Sequence, residues 1–383
     1  MTGAPSGTSA HGPSSGSARR SSNASTGTPS GTSTGLEIAR RFYAEAVRPL
    51  LGAQPHAAAL LGNGSEILGF DDDVSTDHDF GPRVQIFLPD DAALAAVPAQ
   101  LPPAATVDTV ERFFVAWLGV DPAGDPTVDP ARGPSVGPAR GMRLADWLLT
   151  PTQVLASLTA GAVFHDPYPG LLARRRAALQ WYPHDIWRYA LAAAWLRLSQ
   201  EEAFAGRAGS TGDDLGSRVV AGRLVRDLMR LTFLIERHWA PYSKWLGRAF
   251  ADLRLASRVG PALRAAMATS DWREREAAVC SAGEILGAAT NELRLAEPVD
   301  PAPRQFYARD IRVVGGDRFT VALTAAITDD EVVALLDRLG HRAGGGAGAT
   351  VGMLPGTIDQ AVDSTDVLCH PARCRAAAGM LGL

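Results

Sequence analysis

The sequence predicts an α+β fold, a small sheet near the front of the chain followed by a helical bundle. Three observations carry that reading. Val84, Ile86 and Leu88 recur at the two-residue period of a strand, downstream of a short apolar run from His56 to Leu61. Beyond residue 143 the apolar side chains recur at helical steps instead. Trp187, Leu191, Trp195 and Leu198 mark one helix, and Val220, Leu224, Leu228, Leu231 and Leu234 the next. Between the two regions lies a Pro- and Gly-rich stretch over 121–141, which reads as a loop or insertion.

The elements follow in order. Residues 1–35 are rich in Ser, Gly, Thr and Pro and hold no apolar stretch, so they read as a disordered tail and not as a signal peptide. Ile38, Phe42, Ala46 and Leu50 predict a helix over 36–51. The run His56 to Leu61 is the first strand and delivers Gly64-Ser65 at its end. A second strand is expected over 77–88, closing at Pro89. Residues 106–118 begin β-branched and end aromatic, so strand and helix are both open there. Helices are expected over 143–160, 169–180, 184–206, 213–239, 241–254 and 271–293. The glycine run at 344–347 marks a loop, and 301–383 is a C-terminal extension without a clear pattern. The expected divisions are a tail (1–35), a sheet domain (36–142), a helical bundle (143–300) and the extension (301–383).

Composition narrows the class of function. A chain of 383 residues with 46% hydrophobic content has material for two domains and a sizeable core. A net charge of −4 argues against nucleic acid as an obligate partner, since duplex binding needs a basic face. Three cysteines make no disulfide framework, and no stretch is long and apolar enough to span a bilayer, so the cytoplasm is the expected compartment. Cys369-His370-Pro371-Ala372-Arg373-Cys374 lacks a clear fourth ligand for zinc.

The segment Leu61-Gly62-Asn63-Gly64-Ser65, followed eleven residues later by Asp77-His78-Asp79, carries the chemistry. Glycine lets the main chain approach an anion closely, and the serine adds a hydroxyl, so Gly64-Ser65 is suited to phosphate. Carboxylates at i and i+2 of an extended segment share a face, and hard oxygen ligands so placed suit Mg²⁺ together with substrate phosphates. Rival readings fail on detail. A calcium loop from Asp71 would need glycine at Thr76 and glutamate at Pro82, and a dinucleotide fingerprint from Gly62 meets Ile67 where its third glycine belongs. No Gly-x-Ser-x-Gly frames Ser65, and no P-loop lysine is present. An acidic surface loop after a buried strand is the plain alternative.

Gly64-Ser65-x₁₁-Asp77-x-Asp79 resembles the defining motif of the nucleotidyltransferase superfamily, which includes DNA polymerase beta and the kanamycin and lincosamide nucleotidyltransferases. The resemblance covers roughly 36–255. The tracts Val163-Phe164-His165-Asp166, Tyr182-Pro183-His184-Asp185-Ile186-Trp187, Ser199-Gln200-Glu201-Glu202-Ala203-Phe204 and Ala240-Pro241-Tyr242-Ser243-Lys244-Trp245 resemble an uncharacterised bacterial branch of the same superfamily. It implies a small mixed sheet of nucleotidyltransferase type over 36–142, with Mg²⁺ on Asp77 and Asp79 and the NTP phosphates on Gly64 and Ser65.

Other candidates surround this motif. Lys244 is the only lysine against 36 arginines, a compact ammonium suited to a phosphate oxygen; the plain reading is a surface lysine. Superfamily members carry a third carboxylate, either on the next strand, where Asp108 stands, or at the head of a C-terminal helix, where Asp185 stands. The reading prefers Asp185 as general base, with helix capping as its alternative. Arg83 is a candidate phosphate clamp or an ion-pair partner. Arg223, Arg226, Arg230 and Arg237 read as a solvated stripe, and Glu201-Glu202 either as a lining for a cationic acceptor or as partners for those arginines.

The expected activity is Mg²⁺-dependent transfer of a nucleoside monophosphate from an NTP, ATP first, to a hydroxyl of a small acceptor. A nucleotide-binding or regulatory protein without turnover, and a protein AMP-transferase, are the alternatives. A homodimer is compatible with either.

Overall fold

Thr34 caps the first helix: its hydroxyl accepts from the Glu37 N–H, and the Glu37 carboxylate accepts from the Thr34 N–H. Helix α1 (Gly35–Phe42) passes through a π turn (Tyr43–Val47) into α2 (Arg48–Leu51), filling the expected span. The computed structural model describes residues 34–71, 81–124, 141–167, 170–341 and 352–383. Of the tail expected over 1–35, residues 1–33 lie outside the described residues, as does the Asp77–Asp79 pair, while Thr34 and Gly35 open α1.

A four-stranded sheet follows, ordered β3-β2-β1-β4. Strand β1 (Ala57–Leu60) is central and antiparallel to β2 (Val84–Leu88), with Ala59 opposite Gln85 and Ala57 opposite Phe87. Strand β3 (Ala105–Thr109) runs parallel to β2 and pairs Asp108 with Phe87. Alanine is a poor strand former in isolation, yet Ala57, Ala58 and Ala59 are fully buried in the central strand. Packing on both faces explains this. Ala58, Val84, Ile86 and Leu88 lie against Tyr43, Val47 and Leu51, while Ala57, Ala59, Leu61 and Phe87 join the helical core.

The ambiguous stretch 106–118 is both things. It leaves β3 directly into α4 (Val110–Leu118), with the Thr109 hydroxyl as its N-cap; a short α3 (Asp91–Ala95) precedes β3. The helix expected over 143–160 breaks at Pro151 into α5 (Leu144–Leu149) and α6 (Thr152–Thr159). Strand β4 (Ala162–His165) was not expected. It pairs antiparallel with β1 through a bulge at Ala58/Ala59 and closes the far edge of the sheet.

Helices α7 (Leu171–Ala178), α8 (His184–Glu201), α9 (Phe204–Ser210), α10 (Asp214–Glu236) and α11 (Ser243–Ala251) match expected spans, with 184–206 split into α8 and α9. Helix α12 (Ala256–Ala268) was missed, since Pro261 in its interior disguises it; α13 (Trp272–Glu292) was expected. Helix α8 buries residues on nearly all sides, the mark of a core helix. Trp187 Nε1 donates to Leu234 O of α10 at 2.9 Å. On another side α14 (Asp317–Ala325) stacks Phe319 on Trp195, ring centroids 4.3 Å apart. The extension thus folds as α14, α15 (Asp330–Arg338), α16 (Ile358–Ala361) and further short helices, after a small hairpin of β5 (Arg304–Gln305) and β6 (Arg312–Val313). One apolar core runs from Ala57 and Phe87 through the bundle to Leu335 and Leu381, crossing the expected boundaries at 142 and 300. Thr34–Leu383 is one unit. No described helix is long and apolar enough to cross a membrane.

Candidate functional site

The Gly64-Ser65 turn leaves the end of β1 and is held by four ties. Gln85 brackets Leu61, its Oε1 accepting from Leu61 N at 2.9 Å and its Nε2 donating to Leu61 O at 3.0 Å. Gly62 N donates to Ser157 O of α6 at 3.0 Å. Ser65 O accepts from Phe70 N at 2.9 Å, which curls the chain back on itself. Arg83, just before β2, donates from Nη2 to Asn63 O at 2.7 Å and pairs with buried Glu66.

Gly64 has φ +137, and a Cβ there would lie 2.5 Å from Glu66 Oε2 and 2.6 Å from Arg83 Nη2, so no other residue fits without displacing the pair. Among the described residues, no acceptor meets the N–H groups of Gly64, Ser65 or Glu66, nor the Ser65 hydroxyl. Successive open amides on a glycine turn form an anion-binding concavity. Arg83 keeps Nε without a partner among the described residues while Nη2 is engaged, so it is both ion-pair partner and potential clamp.

The start of α11 packs beside this turn. Phe70 and Trp245 rings lie 5.4 Å apart, and Lys244 Nζ stands 4.7 Å above the Trp245 ring. Burial raises the Tyr242 phenol, and the Glu66 charge raises it further, so the two chain segments share one electrostatic neighbourhood. The structure therefore brings the start of α11, which carries exposed Lys244, against Phe70 at the end of the loop that follows Gly64-Ser65. An open cleft of ≈ 470 Å³ adjoins, walled by Phe70 from the turn, by Gln180 after α7 and by Arg237, His238, Trp239 and Pro241 of the α10–α11 connection. Arg237 ends α10 in the left-handed region at φ 59 and stacks over Trp187 at 5.3 Å.

The two candidate bases are placed differently from expectation. Asp108 shares a face with Gln85 and Arg83, but its register partner is Phe87, four residues along β2 from Arg83. At about 3.3 Å per residue that puts it roughly 13 Å from the Gly64-Ser65 end of the sheet. Its Oδ1 accepts from Thr109 N at 2.7 Å. Asp185 is fully engaged elsewhere. Its Oδ2 accepts from Thr328 N at 2.7 Å and Asp329 N at 2.6 Å, and Oδ1 pairs with Arg188. Burial would raise this carboxyl, yet the Thr328 N–H, Arg188 and the Asp329 N–H outweigh it and hold the carboxyl below its usual value. A base with its lone pairs so occupied and its pKa lowered is a poor proton acceptor. The expectation that Asp185 serves as general base is corrected to a clamp between α8 and the α14–α15 corner.

Glu202 also changes role: its carboxylate accepts from Val314 N at 2.7 Å and from Gly315 N and Gly316 N, capping the approach to α14 instead of lining a cleft. Glu201 pairs with Arg223 at 2.5 Å. The arginine stripe is not merely solvated, because Arg226 binds Asp363 bidentately at 2.9 and 2.7 Å and Arg230 donates to Asp359 O at 2.8 Å. The Cys374 thiol is buried, donates to Val367 O, and is pushed up to about 11, first by burial. Among the described residues no group of three metal-ligating side chains assembles.

Glu66, Gln85 and Phe70 were not singled out in the sequence, and Tyr242 and Trp245 entered only within a tract that carries the resemblance. Glu66 had one signal, an acid directly after Gly64-Ser65. The others are recognisable only by contact. A family model described as a domain of unknown function (DUF4037) matches residues 147–246, which supply the helical wall facing the turn but not the turn itself. No curated protein and no solved structure matches the chain.

Proposed function

We propose that this chain binds a nucleoside triphosphate at the Gly64-Ser65 turn and transfers its nucleotidyl group to a hydroxyl of a small acceptor lying in the cleft beside Phe70 and Trp239. What supports the reading above all is the row of open donors: the N–H groups of Gly64, Ser65 and Glu66 and the Ser65 hydroxyl, next to the partly free Arg83 guanidinium. Such donors suit phosphate oxygens, and charge-assisted bonds of this kind are strong. Lys244, arriving with the start of α11, would add a point charge. A magnesium ion on Asp77 and Asp79 would supply neutralisation of the phosphate charge. In the transfer itself the acceptor oxygen bonds to the α-phosphorus as the bond to the departing pyrophosphate breaks, and the hydroxyl proton is released to solvent. The residues named here act by positioning and by charge stabilisation.

A second reading, nucleotide binding without transfer, is favoured by one observation: Asp108 stands at the far end of the sheet and Asp185 is held by Thr328, Asp329 and Arg188. One experiment separates them. Calorimetry with Mg²⁺-NTP is run on wild type and Ser65→Ala, beside pyrophosphate release with a panel of hydroxyl compounds. Binding weakened in Ser65→Ala, with pyrophosphate released by wild type, supports transfer; binding with no release supports the second reading. No NTP binding by wild type overturns both.

A further inference from the structure

A second, more enclosed cavity of ≈ 50 Å³ lies in the helical region, between α8, α10 and α16. Since a water needs about 10–15 Å³ measured this way, the space suits a few waters or one small polyatomic ion. Its wall includes Tyr182, Arg197, Arg226, Arg230, Asp227 and Asp359. The acceptors there are already in use. Asp227 Oδ2 accepts from Arg197 Nε at 2.7 Å, and Asp359 accepts from Thr152 N at 2.8 Å and Thr152 Oγ1 at 3.3 Å. Arg226 turns outward to exposed Asp363.

The donors are not all in use. Tyr182 is 5% exposed, and its hydroxyl has no partner among the described residues. Arg230 donates from Nη1 to Asp359 O, but its buried Nε has none. The three arginines of the wall are matched by Asp227, Asp359 and the outward Asp363, so the lining carries no excess charge of either sign. Burial, then the Asp359 charge, raises the Tyr182 phenol, so it keeps its proton and can donate. A buried donor pair without acceptors is the complement of a ligand that brings acceptor oxygens, as a small oxyanion does.

We infer that this cavity binds a small oxyanion, an inorganic phosphate or a short carboxylate, through the Tyr182 hydroxyl and the Arg230 guanidinium. Because Arg230 and Arg197 also hold the main chain of Asp359 and Gln360, an ion there ties the C-terminal segment to α8 and α10. The site is separate from the Gly64-Ser65 turn and does not depend on nucleotide transfer.

The test is a titration of the full chain with inorganic phosphate, and separately with malonate, read by calorimetry and thermal melting. Wild type, Tyr182→Phe, Arg230→Met and Ser65→Ala are compared. Saturable binding is expected at the cavity, about tenfold weaker in Tyr182→Phe and lost in Arg230→Met, while any component lost in Ser65→Ala belongs to the turn. Whichever ion binds more tightly identifies the source of the oxyanion. If Arg230→Met does not fold, Tyr182→Phe, which removes a single oxygen, decides. No saturable binding of either ion to wild type overturns the inference. So does binding lost in Ser65→Ala and kept in Tyr182→Phe, which would place the ion at the turn.

Discussion

Two buried acid–arginine pairs, Glu66–Arg83 at the Gly64-Ser65 turn and Asp185–Arg188 at the α8–α15 corner, look alike in isolation and serve opposite ends. Asp185 gathers main-chain N–H groups from residues more than 140 positions away, so its charge is consumed in joining elements. Among the described residues the Glu66 carboxylate takes only Arg83, and Arg83 spends one nitrogen on the pair and on Asn63 O. The turn around Glu66 keeps its amides open, whereas nothing at the Asp185 carboxylate remains to meet a substrate. The partners a buried acid holds, more than its burial or its helix position, distinguish a structural clamp from part of a binding site.

The largest effect expected from this contrast is on stability. Asp185→Ala takes the carboxylate from half-buried Arg188 and from the Thr328 and Asp329 N–H groups, and losing charge-assisted hydrogen bonds of this kind costs roughly 1–3 kcal/mol. Urea denaturation should show that loss, with NTP affinity of the folded protein unchanged. The contrast breaks if Asp185→Ala keeps its stability and loses transfer, because Asp185 would then be the base. Acid sharpens the same point. A carboxyl held low in the fold stabilises above its unfolded pKa of about 3.9, and that contribution disappears as pH falls through the lower folded value. Stability of wild type should therefore drop more steeply below about pH 4 than that of Asp185→Asn. Equal acid slopes would remove Asp185 from the account.

At the turn the effect should fall on ligand affinity. Gly64→Ala places a methyl against Glu66 and Arg83 at φ +137, so NTP affinity should fall by about tenfold or more, with a smaller loss of stability. Calorimetry and melting on the same preparation check both. Unchanged affinity would mean that the open amides are not the phosphate cradle.

The smallest effect belongs to Lys244. It is exposed above Trp245, so Lys244→Met should leave the melting temperature alone and weaken Mg²⁺-NTP by a few-fold. Equal affinities would return it to the surface.

Much of this was legible locally. The alternation at Val84, Ile86 and Leu88 marked β2, the apolar spacing around Trp187 and Leu228 marked α8 and α10, and Gly64 marked a glycine turn after β1. These features depend on residues close in the chain, where backbone period and glycine's freedom act directly. Tertiary structure alone decided the rest. Strand β4 exists because β1 offers an edge, and Pro261 sits inside α12 because that helix packs against α13. The parallel register of β3 carries Asp108 away from the turn, and the α14–α15 corner reaches Asp185 across 143 residues. Strand register and the capture of a carboxylate by distant amides are long-range choices, fixed only when the apolar core closes and every buried polar group must find a partner.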